Sequence, residues 1–293
     1  MRNRPLAIAV VSAGAMGAQL GATLVAHGAR VMTCVHGRSS TTRERAVLAR
    51  MELVDLQELG SADMLLAIAP SDQAIAIAEA LLEVGALRAR GPLYVECNPL
   101  SAQTLGELSA RLARAGCSFV DACILGGPSP GQTPAMRLCV SGARAAEVGA
   151  LASYGLSVRV LPGPLGTSSA LRLGISGVSK GLVALLALTI ARAHAVGVAE
   201  LLREELARSH EGLLQWVSRQ SARLPAEAGR WAAELREVAA SRDKCAALRV
   251  LSEMAEYFAR LDTSPPEMSA LRGALEAFFG ASTAGADEAR ATR

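Results

Sequence analysis

Of the thirty basic residues in this 293-residue chain, only two are lysines, Lys180 and Lys244; the rest are arginines. The two side chains are not interchangeable. A lysine ammonium is compact and can be tuned to release a proton near neutrality, whereas a guanidinium stays charged. Lys180 stands four residues beyond Ser176 and eight beyond Arg172, so on a helix the three share one face. That row offers a fixed cation, a hydroxyl and a transferable proton. It suits a reaction in which negative charge grows on an oxygen that is then protonated. The plainer alternative for Lys180 is a lysine on a helix surface. Gly174, Gly177 and Gly181 lie on a neighbouring face. Each is about 1 kcal/mol worse than alanine inside a helix, so the three together point to close packing or to a site.

A second constellation lies near the start of the chain. An apolar run from Leu6 to Val11 leads into Ser12-Ala13-Gly14-Ala15-Met16-Gly17, and Ala18 to Leu24 follows with helical spacing. Strand, tight turn and helix aim free backbone N–H groups and a helix dipole at one point, which suits a pyrophosphate. The dinucleotide fingerprint is G-x-G-x-x-G, with Ser12 here at the first glycine. Alone the pattern is weak; the strand before it and a further strand over Arg30–His36 supply the context it needs. From Thr33 at the end of that second strand to Arg43 there is no carboxylate to accept from a ribose 2′-hydroxyl. Arg38, Ser39, Ser40 and Arg43 are grouped there instead. An arginine fork suits a 2′-phosphate, so the expected cofactor is NADP(H) in preference to NAD(H). The alternative is a polar loop in which Ser40 or Thr41 caps the next helix.

The first half alternates strand-like runs (6–11, 30–36, 62–69, 92–97) with helical ones (15–27, 41–50, 72–84, 101–115). Alternation of this kind means βαβ units and a parallel sheet with helices on both faces. Short strands follow at 118–123, 136–140 and 157–161. The character changes at Pro162-Gly-Pro-Leu-Gly166 and is helical from Thr167 to about Gly280, with breaks near Ser209–Glu211, Leu224-Pro225 and Thr263–Pro266. The expected fold class is an α/β Rossmann-type N-terminal domain, residues 1–164, followed by an all-α domain, residues 165–293.

Half of the residues are apolar and the net charge is +3, with nine aromatic residues. Scattered basic residues without interleaved aromatics give no support to a nucleic-acid surface. No uncharged apolar run reaches the ~20 residues of a membrane span; the nearest is Gly181–Ile190. Met1-Arg-Asn-Arg-Pro5 runs straight into the first strand, with no room for a signal peptide. The six cysteines have no C-x-x-C spacing and the four histidines do not cluster with them, so no metal site is expected. They read as core residues of a reduced, cytoplasmic protein.

With these residues in view, the chain resembles the β-hydroxyacid dehydrogenase superfamily. That group holds 3-hydroxyisobutyrate and phosphogluconate dehydrogenases, with imine reductases as relatives. The branch most similar has a C-terminal helical domain of no assigned function. The similarity runs over about residues 6–275 in separate blocks: Gly14-Ala-Met-Gly17, Gly37-Arg-Ser39, and Ala62-Asp63 through Ala69-Pro70. The family's Asp-Ala-Pro-Val-Ser-Gly-Gly appears as Asp121-Ala-Cys-Ile-Leu-Gly126-Gly127, and its Leu-x-x-x-x-Gly strand as the shorter Leu138-Cys-Val-Ser-Gly142. The catalytic helix departs: Arg172 stands where the family has lysine and Ser176 where it has asparagine. Ser179-Lys180-Gly181 and the stretch after Lys244 are similar to elements of the closer branch.

The resemblance implies hydride transfer between a nicotinamide and a small substrate, with the protein orienting a carbonyl and supplying a proton. Lys180 is the expected acid/base, Arg172 tunes it or holds a carboxylate, and Ser176 lies between. The turn at Ser12–Gly17, Arg38, Ser39, Arg43, Ala69 and Pro70 would hold the cofactor. Asn98 or Ser101, past the fourth strand, is placed to contact nicotinamide or substrate. Gly126, Gly127 and Lys244 would bind the substrate. The expected substrate is a 3-hydroxy or 3-oxo acid, with imine reduction as the alternative and a non-catalytic nucleotide sensor as the alternative outside enzymes. A homodimer is implied, its long helices packing on the partner.

Overall fold

The computed structural model describes residues 4–127, 136–240 and 246–291. Two compact units divide the chain after Leu173. The first contains β1 (Ala7–Val10), α1 (Ala15–Ala26), β2 (Arg30–Thr33), α2 (Ser40–Leu48), β3 (Glu52–Leu53), β4 (Met64–Ala67), α3 (Ala74–Glu83), β5 (Leu93–Glu96), α4 (Ala102–Arg114), β6 (Phe119–Leu125), β7 (Arg137–Ser141), α5 (Ala145–Val148) and β8 (Val158–Val160). They build one eight-stranded sheet in the order β3-β2-β1-β4-β5-β6-β7-β8. All pairings are parallel except β6 with β7. The order reverses between β1 and β4, and the crevice beyond their carboxyl ends is where such sheets bind ligands.

Strands β1, β4 and β5 are buried at every position, as expected of a parallel sheet covered on both faces. The period of two still sorts the side chains: Ile8 and Val10 join a core with Leu20, Leu24 and Val95. Ala7 and Ala9 face a second core with Met32, Leu81 and Leu108. The two-residue edge strand β3 and the single-turn α5 were not expected from sequence, because segments that short carry no readable period.

The helical part consists of α6 (Thr167–Ala195), α7 (Ala199–Ser221), α8 (Leu224–Ala239), α9 (Ala246–Thr263) and α10 (Pro265–Ala291). The expected break near Ser209–Glu211 is a kink inside α7, where His210 has φ −141° and ψ 35°. Pro265 opens α10, where its missing N–H leaves no bond unmade. In the second unit Trp231 meets Phe258 edge-to-face at 5.6 Å, within a core that includes Ile190, Leu214 and Phe278.

Helix α6 is about 43 Å long at 1.5 Å per residue. Among the described residues it is the one helix long and apolar enough to cross a membrane by length and composition. One face of it, with Val183, Ala184, Ala187 and Ile190, lies in the core of the second unit. Leu171, Ile175, Val178, Leu185 and Leu188 are instead exposed. Close packing does not explain the glycines of α6. A Cβ on Gly177 would meet Val238 at 3.5 Å, one on Gly181 would meet Met254 at 3.7 Å, and one on Gly174 would meet nothing within 4 Å.

Candidate active site

The turn between β1 and α1 shows why its residues are small. A Cβ on Gly17 would lie 2.0 Å from the backbone oxygen of Ser12, so only glycine lets the helix approach the strand there. Gly14 is the N-cap of α1 and caps it with no side chain. A Cβ at that position would meet only Ser12 Oγ, at 4.0 Å. The first-turn N–H groups of Ala15, Met16 and Gly17 therefore have no side-chain cap, the condition under which a helix N-terminus can take a phosphate. Ser12 is not among the residues with positive φ. Serine replaces the first glycine of the fingerprint without backbone strain, beside the buried Ala13.

Beyond β2 the chain turns at Gly37, whose φ of 69° favours glycine. Arg38 and Arg43 are exposed, and among the described residues neither makes a salt bridge. Ser39 is the N-cap of α2: its hydroxyl accepts from Thr42 N at 3.3 Å. The cap is thus Ser39, not Ser40 or Thr41. His27 is the C-cap of α1, at the far end from the turn, bonded to Thr23 O at 2.8 Å.

At the carboxyl ends of β4 and β5 the polar groups are knitted together. Asn98 is buried and its side-chain oxygen accepts from Ala69 N at 2.9 Å, while its amide donates to Glu96 and to Ala67 O. It acts as a clamp that shapes the loop of Ala69 and the exposed Pro70, rather than as a group presented to a ligand. Ser101 is the N-cap of α4, accepting from Thr104 N at 3.1 Å. Glu96 is fully buried and also accepts from Tyr94 Oη and from Asn98 N, both at 3.1 Å. Burial, opposed by those hydrogen bonds and reinforced by Asp121 beside it, pushes its carboxyl up to about 7.

Asp121 pairs in register with Glu96 across β5 and β6. It accepts from Ser141 Oγ at 2.9 Å, from Ser169 N at 3.1 Å and from the Ser169 hydroxyl, while Ser168 N donates to Ser141 Oγ at 2.9 Å. The carboxylate thereby caps the start of α6, where anions are favoured. Burial still raises its pKa against those bonds. Two residues along β6 from Asp121, the buried Cys123 thiol is pushed up to about 12 by burial, while Arg172 close by and the Ser168 hydroxyl work in the opposite direction. Half-buried Arg172 is thus placed near the strand that ends at Gly126 and Gly127. Gly126 has φ 92°, a conformation that favours glycine.

In the second unit Ser176 and Lys180 meet one carboxylate. Glu234 of α8 accepts from Ser176 Oγ at 2.7 Å and lies 3.1 Å from Lys180 Nζ, both through Oε2; Arg230 binds Oε1. Lys180 has a side chain only 11% exposed and Glu234 7%. The helix-surface alternative for Lys180 is therefore set aside. Lys244 lies outside the described residues. The described cysteines, Cys34, Cys97, Cys117, Cys123 and Cys139, are free. Among the described residues no group of three potential ligands could hold a metal.

The sequence matches the NAD binding domain of 6-phosphogluconate dehydrogenase over residues 7–150 and a domain of unknown function over residues 193–262. The pairing of these two domains agrees with the resemblance to the β-hydroxyacid dehydrogenase superfamily. A conserved protein of unknown function, reported as structurally similar to 3-hydroxyacid dehydrogenases, is 25% identical; 86% of this chain covers 99% of it at a TM-score of 0.65. The fold is shared with Mycobacterium tuberculosis 3-hydroxyisobutyrate dehydrogenase (17% identity, 87% of this chain and 94% of that one, TM-score 0.66). It is shared also with Streptomyces aurantiacus imine reductase (18%, 95% of each chain, TM-score 0.53). No curated protein sequence matches significantly. The chain's family match and its structural neighbours are of the β-hydroxyacid dehydrogenase type, which supports NAD(P)-dependent oxidoreduction.

Two of the residues just described, Glu234 and Asp121, are not marked as site members by the sequence. Glu234 stands among Leu224, Ala228, Trp231, Ala232 and Leu235 on the buried face of α8, and a carboxylate in an apolar helical stripe is the signal that would have marked it. In the sequence Asp121 stands only as part of a motif; its role as cap of α6 depends on Ser168 and Ser169, far along the chain.

Proposed function

We propose that the protein is an NADP(H)-dependent reductase of small 3-oxo carboxylates or similar carbonyls, running in reverse as a 3-hydroxy acid dehydrogenase. The observation that carries the cofactor choice is the pair of exposed guanidinium groups, Arg38 and Arg43, beyond β2, with no carboxylate from Thr33 to Arg43 to accept a ribose hydroxyl. Ser12, Ala13, Gly14, Ala15, Met16 and Gly17 would cradle the pyrophosphate. Ser39, Ala69 and Pro70 would line the cofactor's course, with Asn98 fixing the last two. Bound there, the nicotinamide supplies the hydride.

The remaining work belongs to side chains. Lys180 donates a proton to the oxygen as the carbon takes the hydride, so carbonyl, hydride and proton together make the alcohol, and the lysine is reprotonated from water. Arg172, with the backbone N–H groups of Gly126 and Gly127, holds the substrate carboxylate, and Lys244 is assigned to the same substrate. Reduction of C=N is the second reading, favoured by arginine standing at the family's lysine position. The free, mostly buried cysteines support a reducing compartment such as the cytoplasm.

Leu171, Ile175, Val178 and Leu185 recur with Leu182 at alternating steps of four and three along α6. That is the spacing of a helix seam, and its assigned occupant is a second copy of this chain. A Val178→Asp, Leu185→Asp double variant should then sediment as a monomer while the parent sediments as a dimer.

Calorimetric titration tests the cofactor assignment. NADPH should bind at least about tenfold more tightly than NADH, and Arg38→Ala should erase most of that difference, as loss of a charged hydrogen bond of about 1.5–3 kcal/mol implies. Equal or tighter NADH binding overturns it. Turnover on a panel of 3-oxo acids against one of cyclic imines separates the two reactions.

A further inference from the structure

Glu234 has no part in the reaction as so far described, yet its surroundings are built around it. Its carboxyl sits on the apolar face of α8, a place from which an unpaired charge is expelled. Ser176 and Lys180, both on α6, bind the same oxygen, Oε2, and Arg230 binds the other. Arg230 also pairs with Glu227, and Glu227 lies 3.4 Å from Arg223. An alternating row of charges, Arg223, Glu227, Arg230 and Glu234, therefore runs into and along α8 and reaches the Lys180 ammonium. On the side of Gly177 and Gly181, α6 faces Leu251 and Met254 of α9, which bring no charge.

A lysine stem is long and flexible. An ammonium that must reach a substrate oxygen is effective only if its place is fixed beforehand. Binding the ammonium and the Ser176 hydroxyl to one atom fixes both. Arg230, on the other oxygen, offsets part of the carboxylate charge, so that the lysine is held without being locked in its charged form.

We propose that Glu234 is a positioning residue for this reaction, holding Lys180 and Ser176 in place, and that Arg230 balances its charge. The proposal rests on the reading of Lys180 as proton donor. Two substitutions on α8 should then act in opposite directions. Glu234→Gln keeps the shape and removes the charge, which makes the ammonium easier to deprotonate; Arg230→Gln leaves the carboxylate unbalanced, which makes it harder.

Because the chain has two lysines, labelling lysine with nitrogen-15 gives two side-chain signals, and Lys244→Arg identifies that of Lys180. Its titration midpoint should fall by about one pH unit or more in Glu234→Gln and rise in Arg230→Gln. On whichever panel supports turnover, Glu234→Gln should lose about 10- to 100-fold in kcat with NADPH affinity unchanged. The alkaline limb of its pH profile should move with the nitrogen signal, and Glu234→Asp should restore part of both. Should Glu234→Gln fail to fold, Arg230→Gln decides, since that side chain is 44% exposed. Unmoved midpoints, or a wild-type kcat in Glu234→Gln beside an inactive Lys180→Met, make Glu234 purely structural and overturn the proposal. Full turnover in Lys180→Met overturns the underlying reading instead, whatever the nitrogen signals show.

Discussion

Two carboxylates are buried beside α6, one in each unit, and they are satisfied in different ways. Asp121 is met by neutral donors: the hydroxyls of Ser141 and Ser169 and the backbone N–H of Ser169. Glu234 is met by two cations and one hydroxyl. Neutral donors fix the start of a helix and leave no proton to move among them, and burial duly raises the Asp121 pKa. Cations keep a carboxylate charged and tie it to a lysine that can titrate. The first arrangement is a latch and the second a holder for a working group.

Removing each carboxylate tests that difference. Glu234→Ala breaks the buried pair with Lys180 and should destabilise the protein by about 3 kcal/mol, the low end for such a pair because Arg230 can turn to water and Glu227. Asp121→Ala strands neutral donors only and should cost about 1–3 kcal/mol. Denaturant unfolding measures both, and a larger loss in Asp121→Ala would reverse the comparison.

A smaller effect concerns the register neighbour of Asp121. Glu96 has its carboxyl pushed up to about 7 from an ordinary 4.5, so the folded chain holds that proton more tightly than the unfolded one. The resulting stabilisation is full below the unfolded value and is lost as pH rises through the folded one. The melting temperature should therefore decline between about pH 5 and pH 8, and Glu96→Gln should flatten that decline. An identical slope in the variant would assign the decline to other groups.

The first unit was largely legible because its chemistry is local. The β1 turn places Ser12, Gly14 and Gly17 within one strand–helix step, and the long apolar period of α6 announced itself. The antiparallel β6–β7 pair and the two-residue β3 were not legible, since pairing partners and very short strands leave no period. Lys180 was found through its rarity. Its partner was not, because Glu234 lies 58 positions from Ser176 and shares α8 with ordinary i,i+4 pairs such as Arg223 with Glu227. Long-range polar contacts of this kind need the packed helices. The same limit hid the commitment of Asn98 to Ala69 and Glu96.

NADPH consumption by the parent protein and by Lys180→Met, on the 3-oxo acid and imine panels, tests the central claim most directly. Lys180→Met should bind NADPH like the parent and lose about 10²- to 10⁴-fold in turnover, the usual contribution of a positioned general acid. Turnover near the parent rate with the same cofactor affinity would contradict the assignment and move the proton donor away from Lys180.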